Sequence, residues 1–206
     1  MSRRKSLILI TLLIVSVATI SFLKLGSAYQ KYSYHGIRYG KKAPDFELIN
    51  QDNEPTTLSQ FKGDFILIAF GYTSCPDICP TTLSRLNRVV GGVGNLKDYV
   101  KVMFITVDPD RDNPERLKKY MTYFNNDFVG LTGSTDNIKN VAESYSAFYE
   151  KEETDSSAGY LMSHTSSVYL VDKKGNLTFV YPYSQLKPDN IAEDIIHLDK
   201  ALAKNN

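Results

Sequence analysis

Continuous runs of apolar residues alternate along the chain with segments of helical periodicity. Three runs predict strands that are buried on both faces of a sheet, namely Phe65–Phe70, Val100–Val107 and Val168–Val171. A fourth run, Leu177–Tyr181, follows the polar turn at 172–176 and predicts a hairpin with the third strand.

Helical patterns separate and follow these strands, and turn and cap residues mark where they start. The predicted helices start at Pro80, at Asn113-Pro114, at Ser134 or Thr135, and at Pro188. The third helix is expected to direct five residues inward: Ile138, Val141, Ala142, Tyr145 and Phe148. This order of elements predicts an α/β fold with a mixed sheet.

The N-terminal segment carries a different pattern. Ser6–Leu23 holds no charged residue, and Arg3-Arg4-Lys5 precede it. A helix of this length spans roughly 27 Å, close to the hydrocarbon core of a bilayer. Residues 1–23 are therefore predicted to form a single-pass membrane anchor with a cytoplasmic N-terminus. A signal peptide cleaved near Gly26 or Ala28 is the alternative.

Either interpretation exports the rest of the chain, and a bacterial inner-membrane protein with a periplasmic domain is expected. Residues 24–42 are polar, rich in tyrosine and predicted to be a tether, and the domain is expected to span residues 43–206. The net charge of +1 gives no indication of a nucleic-acid partner. The chain has three histidines and two cysteines, and two cysteines are too few for a disulfide-rich scaffold.

Both cysteines lie in one short motif, Cys75-Pro-Asp-Ile-Cys79, between the first predicted strand and the first helix. Amides at a helix N-terminus favour the thiolate and lower the pKa of a cysteine. Residues four apart share a helix face, with Cβ atoms about 5–6 Å apart. The pair could thus bind a soft metal ion, form a disulfide, or be two inert buried thiols.

Two thiolates leave a first-row metal ion short of ligands, so a third ligand must come from elsewhere in the chain. His164 is the candidate because it directly precedes the third predicted strand, where loops approach a helix N-terminus. The other two histidines are less suitable, since His35 lies in the predicted tether and His197 on the polar part of the last helix.

Four ordered sequence blocks resemble the SCO/SenC family of copper chaperones for cytochrome c oxidase. The blocks are Gly71–Leu83, Val107–Glu115, Gly130–Gly133 and His164–Asp172. The similarity covers roughly residues 42–202 and leaves the predicted anchor and tether unmatched.

The resemblance implies a thioredoxin-like fold, a membrane anchor, and copper bound by Cys75, Cys79 and His164. It implies a metallochaperone rather than an enzyme, delivering Cu(I), or Cu(II), to the copper-bearing subunit of cytochrome c oxidase. Other periplasmic copper chaperones and a thioredoxin-like reductant are further implied partners. The chemistry agrees, because thiolates with an imidazole select Cu(I), and oxidation of the pair to a disulfide would prevent loading.

Two other functions use the same residues. One is a thiol–disulfide reductase, with Cys75 and Cys79 as its redox pair, that keeps the metal-site cysteines of the oxidase subunit reduced. The other is copper or redox sensing, which differs only in its partners.

Several neighbouring residues receive structural interpretations. Asp77 and Asp108 are expected to cap a turn and a loop rather than to support the metal ligands or a docking partner. Met162 is expected to pack rather than to act as an auxiliary ligand. The acidic stretch Glu150–Asp155 is expected to be a solvated loop, with partner docking as the alternative.

Overall fold

The computed structural model describes residues 11–17, 19, 32–92, 96–154 and 159–204. Most of the predicted anchor lies outside these residues, and its described residues, 11–17 and 19, are helical. No helix within the described ranges has the length and apolar character needed to cross a bilayer. The chain divides into two units, Met1–Ser33 and Tyr34–Asn206, and the second contains all the elements described below.

The larger unit is an α/β fold with ten strands and five helices in its described residues. The strands are β1 (Ile37–Lys42), β2 (Glu47–Asn50), β3 (Pro55–Thr57), β4 (Phe65–Gly71), β5 (Val100–Thr106), β6 (Val129–Thr132), β7 (Tyr149–Glu153), β8 (Tyr160–His164), β9 (Val168–Val171) and β10 (Asn176–Tyr181). The helices are α1 (Ile78–Val90), α2 (Leu96–Tyr99), α3 (Pro114–Thr122), α4 (Thr135–Ser144) and α5 (Pro188–Lys204).

Eight strands form one mixed sheet in the order β1-β10-β9-β4-β5-β6-β2-β3, and β7 and β8 form a separate hairpin. The β4–β5 and β5–β6 pairs are parallel, and the remaining pairs of the large sheet are antiparallel. All seven residues of β4 are buried, as expected for a central strand covered on both faces. The mixed sheet and its flanking helices confirm the predicted fold class.

The predicted caps form as the sequence indicates. The Asn113 side chain accepts a hydrogen bond from the Arg116 amide at 2.8 Å, and Ser134 accepts one from Asn137 at 3.2 Å. In the turn between β9 and β10, an Asp172 carboxylate oxygen accepts from the Lys174 and Asn176 amides. Local hydrogen bonds therefore define these element boundaries.

Phe148 does not point inward as its helical spacing predicts, because α4 ends before it. Ser146 adopts a left-handed conformation with φ of 55°, which redirects the chain. Phe148 is 63% exposed, whereas Tyr145, on the last helical turn, is buried.

The predicted tether at 24–42 is corrected at its C-terminal end, since residues 37–42 form β1 at the edge of the sheet. A buried carboxylate, Asp194 on α5, holds this segment in place. It accepts hydrogen bonds from the backbone amides of His35 and Gly36 and from the Tyr181 hydroxyl, at 2.9–3.1 Å. The folded unit thus begins near Tyr34 rather than at residue 43.

We expect Asp194→Asn to lower the free energy of unfolding by about 2 kcal/mol, because the amide group brings donors toward groups that are themselves donors. Urea denaturation measures this loss. Glu143→Gln, an exposed acid-to-amide change on α4, is the matched control and should leave the midpoint unchanged. Equal midpoints for the two variants would contradict the role assigned to Asp194.

Candidate metal centre

The two cysteines lie where the central strand β4 gives way to α1. Cys75 is in the connecting loop, and its amide donates to the Tyr72 carbonyl at 3.2 Å. Cys79 is buried in the first turn of α1. Their i, i+4 spacing brings the Cys79 amide within 3.5 Å of Cys75 Sγ. The loop and the helix start therefore place both sulfurs at the same end of the sheet.

Gly71, the last residue of β4, leaves room for the Cys79 sulfur beside the Phe104 ring. A Cβ atom at this position would lie 2.7 Å from Cys79 Sγ and 2.6 Å from the Phe104 ring. Both distances are far below van der Waals contact, so any larger residue would displace the cysteine or the phenylalanine. The glycine is thus needed for space rather than for backbone conformation.

The third predicted residue, His164, ends β8, and its ring faces the cysteines. Its Nε2 atom lies 3.3 Å from Cys79 Sγ, and its Nδ1 atom lies 3.0 Å from the Thr165 carbonyl oxygen. A carbonyl only accepts hydrogen bonds, so a proton on Nδ1 can remain there when a metal ion binds, which leaves the Nε2 lone pair for the ion. The Tyr72 ring meets the imidazole edge-on at 5.9 Å and limits its rotation.

Cys75 Sγ, Cys79 Sγ and a ring nitrogen of His164 all lie within 4.8 Å of one another. Over the described part of the chain, these are the one group of three or more His, Cys, Asp or Glu residues whose ligand atoms lie close enough to hold an ion together. Both cysteines are free thiols, Cys75 half-buried and Cys79 buried. The structure therefore brings together the three residues that the sequence singled out, and His35 and His197 lie outside the group.

The two thiols differ in acidity because they share a proton. The hydrogen bond from Cys79 lowers the pKa of Cys75 to about 3. Partial burial opposes this shift, and hydrogen bonds from His164 and from nearby backbone amides add to it. The same hydrogen bond, together with burial, raises the pKa of Cys79 above its usual range. In the reduced, metal-free site Cys75 is therefore the thiolate and Cys79 the thiol.

A fully buried carboxylate, Asp112, fixes the loop that leads to Cys75. It accepts hydrogen bonds from the Thr73 amide at 2.9 Å, the Thr73 hydroxyl at 2.5 Å and the Thr106 hydroxyl at 2.7 Å. Arg116 adds donations to the Thr73 and Ser74 hydroxyls at 2.7 and 2.8 Å. The loop is thus tied to the end of β5.

The expectation that Asp77 and Asp108 act as caps is wrong for their side chains. Asp77 occupies the N-cap position of α1, but its exposed side chain makes no capping hydrogen bond. Asp108 binds the side chains of Arg111 and Tyr160 instead of capping its loop. Met162 packs against the hydrophobic core, as predicted.

Glu150–Glu153 of the acidic stretch are exposed, as predicted, but they belong to a strand rather than a loop, and Asp155 lies outside the described residues. Tyr149–Glu153 pairs in antiparallel register with Tyr160–His164, and Tyr149 lies opposite His164. The acidic stretch and the histidine therefore belong to the same hairpin.

Sequence reasoning missed two residues that shape this site. Gly71 was recognised only as part of a motif, although a glycine directly after a buried strand and before a cysteine loop indicates a close backbone approach. Asp112 gave no signal of its own, because its partner Thr73 lies 39 residues away in the chain.

Alkylation of Cys75 should be nearly independent of pH between 5 and 8 in the reduced, metal-free protein. Its lowered pKa leaves the sulfur ionised throughout this range, whereas an unperturbed thiol, with a pKa of about 8.5, would react faster as the pH rises. The rate is measured with iodoacetamide and mass spectrometry. Cys79→Ala removes the main cause and should restore a rise with pH, and a rise in the unsubstituted protein would contradict the assignment.

Comparison with known proteins relates this chain to a family. The SCO1/SenC family model matches residues 37–199. An SCO2-like protein of Rickettsia conorii is 42% identical over 132 residues, which is 64% of this chain and 64% of the relative's length.

Two solved structures are similar in fold and sequence. Bradyrhizobium japonicum ScoI with copper bound is 35% identical, with a TM-score of 0.69 over 76% of this chain and 98% of that one. BsSco, described as a member of the Sco family of cytochrome c oxidase assembly proteins with a disulfide switch, is 27% identical, with a TM-score of 0.62 over 79% and 95%. The thioredoxin-like fold of these structures is the fold seen here. The chain therefore belongs to the SCO1/SenC family.

Proposed function

We propose that this chain is a copper chaperone that binds one Cu(I) ion through Cys75, Cys79 and His164. The observation that carries the proposal is the convergence of two sulfurs and an imidazole nitrogen within 4.8 Å. Soft thiolates with one imidazole suit Cu(I), and three ligands are too few for a closed structural zinc site. ScoI of Bradyrhizobium japonicum, with copper bound, supports the same cargo here.

The site is suited to passing copper on as well as to holding it. Cys75 is half-buried, so an incoming thiolate of a recipient can reach an ion bound beside it. A three-coordinate ion has an open position, which allows ligands to be exchanged one at a time without release of copper into solvent. We propose that the recipient is the dinuclear copper site of cytochrome c oxidase, in agreement with the oxidase-assembly role described for BsSco.

We propose further that the chain acts outside the cytoplasm as a bacterial inner-membrane protein, with residues 1–23 as its anchor. The uncharged stretch Ser6–Leu23 and the preceding basic residues support this placement. A periplasmic Cys pair is easily oxidised, so the chaperone would also need a thioredoxin-like reductant before loading. Other periplasmic copper chaperones would supply the ion.

The second candidate function is a thiol–disulfide reductase, favoured by the low pKa of Cys75. In that reaction the Cys75 thiolate attacks a disulfide of the oxidase subunit, and Cys79 then resolves the mixed disulfide. The products are a Cys75–Cys79 disulfide and the two reduced cysteines of the partner. His164 has no necessary part in this exchange, which provides the means of separating the two functions.

Competition titration with a Cu(I) chelator should give one tightly bound ion per reduced chain. We expect Cys75→Ala, Cys79→Ala and His164→Ala each to weaken binding by more than the roughly 10–100-fold that loss of an outer-shell partner costs. His197→Ala is the matched control and should bind as the unsubstituted chain does. Mixing the loaded chain with the apo copper-bearing subunit should then generate the dinuclear site.

Stoichiometric tight binding by His164→Ala would contradict the three-ligand site. Copper-free reduction of a partner disulfide at full rate by the same variant, without copper transfer by the unsubstituted chain, would favour the reductase.

A further inference from the structure

The hairpin that carries His164 stands apart from the main sheet. In the described residues, β7 pairs with β8 and neither strand joins the eight-stranded sheet. A two-stranded hairpin is marginally stable on its own, so side-chain contacts must hold its orientation. The position of the imidazole relative to the cysteines depends on those contacts.

One attachment lies at the base of the hairpin, beside His164. The Thr165 amide donates to the Phe148 carbonyl at 2.8 Å, and the Phe148 amide donates to the Thr165 hydroxyl at 2.9 Å. These bonds fix where the hairpin starts. Met162, in the middle of β8, packs against the hydrophobic core, and the other end of the strand, at Tyr160, lies about 13 Å from His164 along β8.

Arg111 supplies the attachment at that far end. Its guanidinium carbon lies 3.6 Å from the centre of the Tyr160 ring, and its Nη1 donates to the Tyr160 carbonyl at 3.1 Å. The Asp108 carboxylate pairs with Arg111 Nε and accepts a hydrogen bond from the Tyr160 hydroxyl at 2.8 Å. The Asp108 and Arg111 side chains are only 2% and 19% exposed, so solvent screens this cluster far less than a surface ion pair.

The same guanidinium also reaches the cysteine side of the site. Its central carbon lies 5.8 Å from the centre of the Tyr72 ring. Tyr72 precedes Cys75 in the loop, and its ring meets the His164 ring edge-on. One side chain therefore lies between the loop that carries one half of the metal site and the hairpin that carries the other.

We propose that Arg111, held by Asp108, is a positioning residue that fixes His164 opposite the cysteine pair. This inference rests on the proposed copper-binding function. Without Arg111 the hairpin loses the attachment at its far end, and the imidazole can move away from the sulfurs. The cysteine loop keeps its own anchor, Asp112, so a two-thiolate site should remain.

A double-mutant cycle separates positioning from general stabilisation. We expect Arg111→Gln to weaken Cu(I) binding by roughly 10–100-fold, as for loss of an outer-shell partner. In a His164→Ala background the same change should have no further effect, because there is no imidazole left to position. Equal losses in both backgrounds would overturn the proposal.

Arg85→Gln is the matched control. Arg85 stacks on the Tyr183 ring at 4.7 Å and donates to the Tyr183 carbonyl at 3.3 Å, which are the same two kinds of contact on a different pair of elements. It should leave Cu(I) affinity unchanged. A loss equal to that of Arg111→Gln would show a general packing effect and overturn the specific role.

Tyr160→Phe is a milder variant for the case in which Arg111→Gln fails to fold. It keeps the ring under the guanidinium and removes only the hydroxyl that binds Asp108, so we expect a smaller loss of Cu(I) affinity than in Arg111→Gln. Arg111→Lys should restore part of the affinity through its charge. An affinity of Tyr160→Phe equal to that of the unsubstituted chain, together with no rescue by lysine, would count against the cluster.

A readout without copper keeps this inference separate from the proposed function. Hydrogen exchange of the β7 and β8 amides in the reduced, metal-free protein should be faster in Arg111→Gln, with the amides of β4 and β5 unchanged. Unchanged hairpin exchange would overturn the positioning role even if copper binds. Faster exchange in a chain that fails to bind Cu(I) would support the positioning role while contradicting the proposed function.

Discussion

The buried carboxylate of Asp112 is the constraint on which the candidate metal centre depends. It ties the loop before Cys75 to the end of β5 through Thr73 and Thr106, with no exposure to solvent. A buried charge is costly unless hydrogen bonds satisfy it, and these donors make the loop conformation and the carboxylate mutually dependent. That anchor therefore constrains the backbone two residues before Cys75.

The chain segment that supplies this anchor also reaches the other half of the site. Within a few residues of Asp112, Asp108 and Arg111 hold the hairpin that ends at His164. One connection between β5 and α3 thus contacts both the thiolate loop and the imidazole hairpin. Because the ligands come from separate elements, their separation is set by this connection rather than by either element alone.

The sequence predicted the parts of the fold whose patterns are local. The buried strand β4 and the capped starts of α3 and α4 follow from apolar runs and cap residues. The hairpin β7–β8 did not, because four of the five residues of its first strand, Tyr149–Glu153, are charged and exposed, and the strand shows no apolar alternation. The edge strand β1 was missed for the same reason, since all six of its residues are exposed.

In the site, too, local sequence predicts some features, and others depend on residues far apart in the chain. The cysteine spacing and the position of His164 before a strand were enough to select the three residues that the structure brings together. The contacts that hold them, such as Asp112 with Thr73 and Arg111 with Tyr160, join residues 39 and 49 positions apart. An isolated aspartate or arginine in a loop does not reveal such a partner. Tertiary structure is needed to show it.

The central claim is that two sulfurs and one imidazole nitrogen bind a single Cu(I) ion. X-ray absorption spectroscopy of the protein loaded with one equivalent of Cu(I) measures this ligand set directly. The account predicts a three-coordinate ion with two sulfur ligands and one imidazole nitrogen, and loss of the imidazole scattering in His164→Ala. An ion coordinated by sulfur alone in the unsubstituted protein, or a spectrum unchanged by His164→Ala, would contradict it.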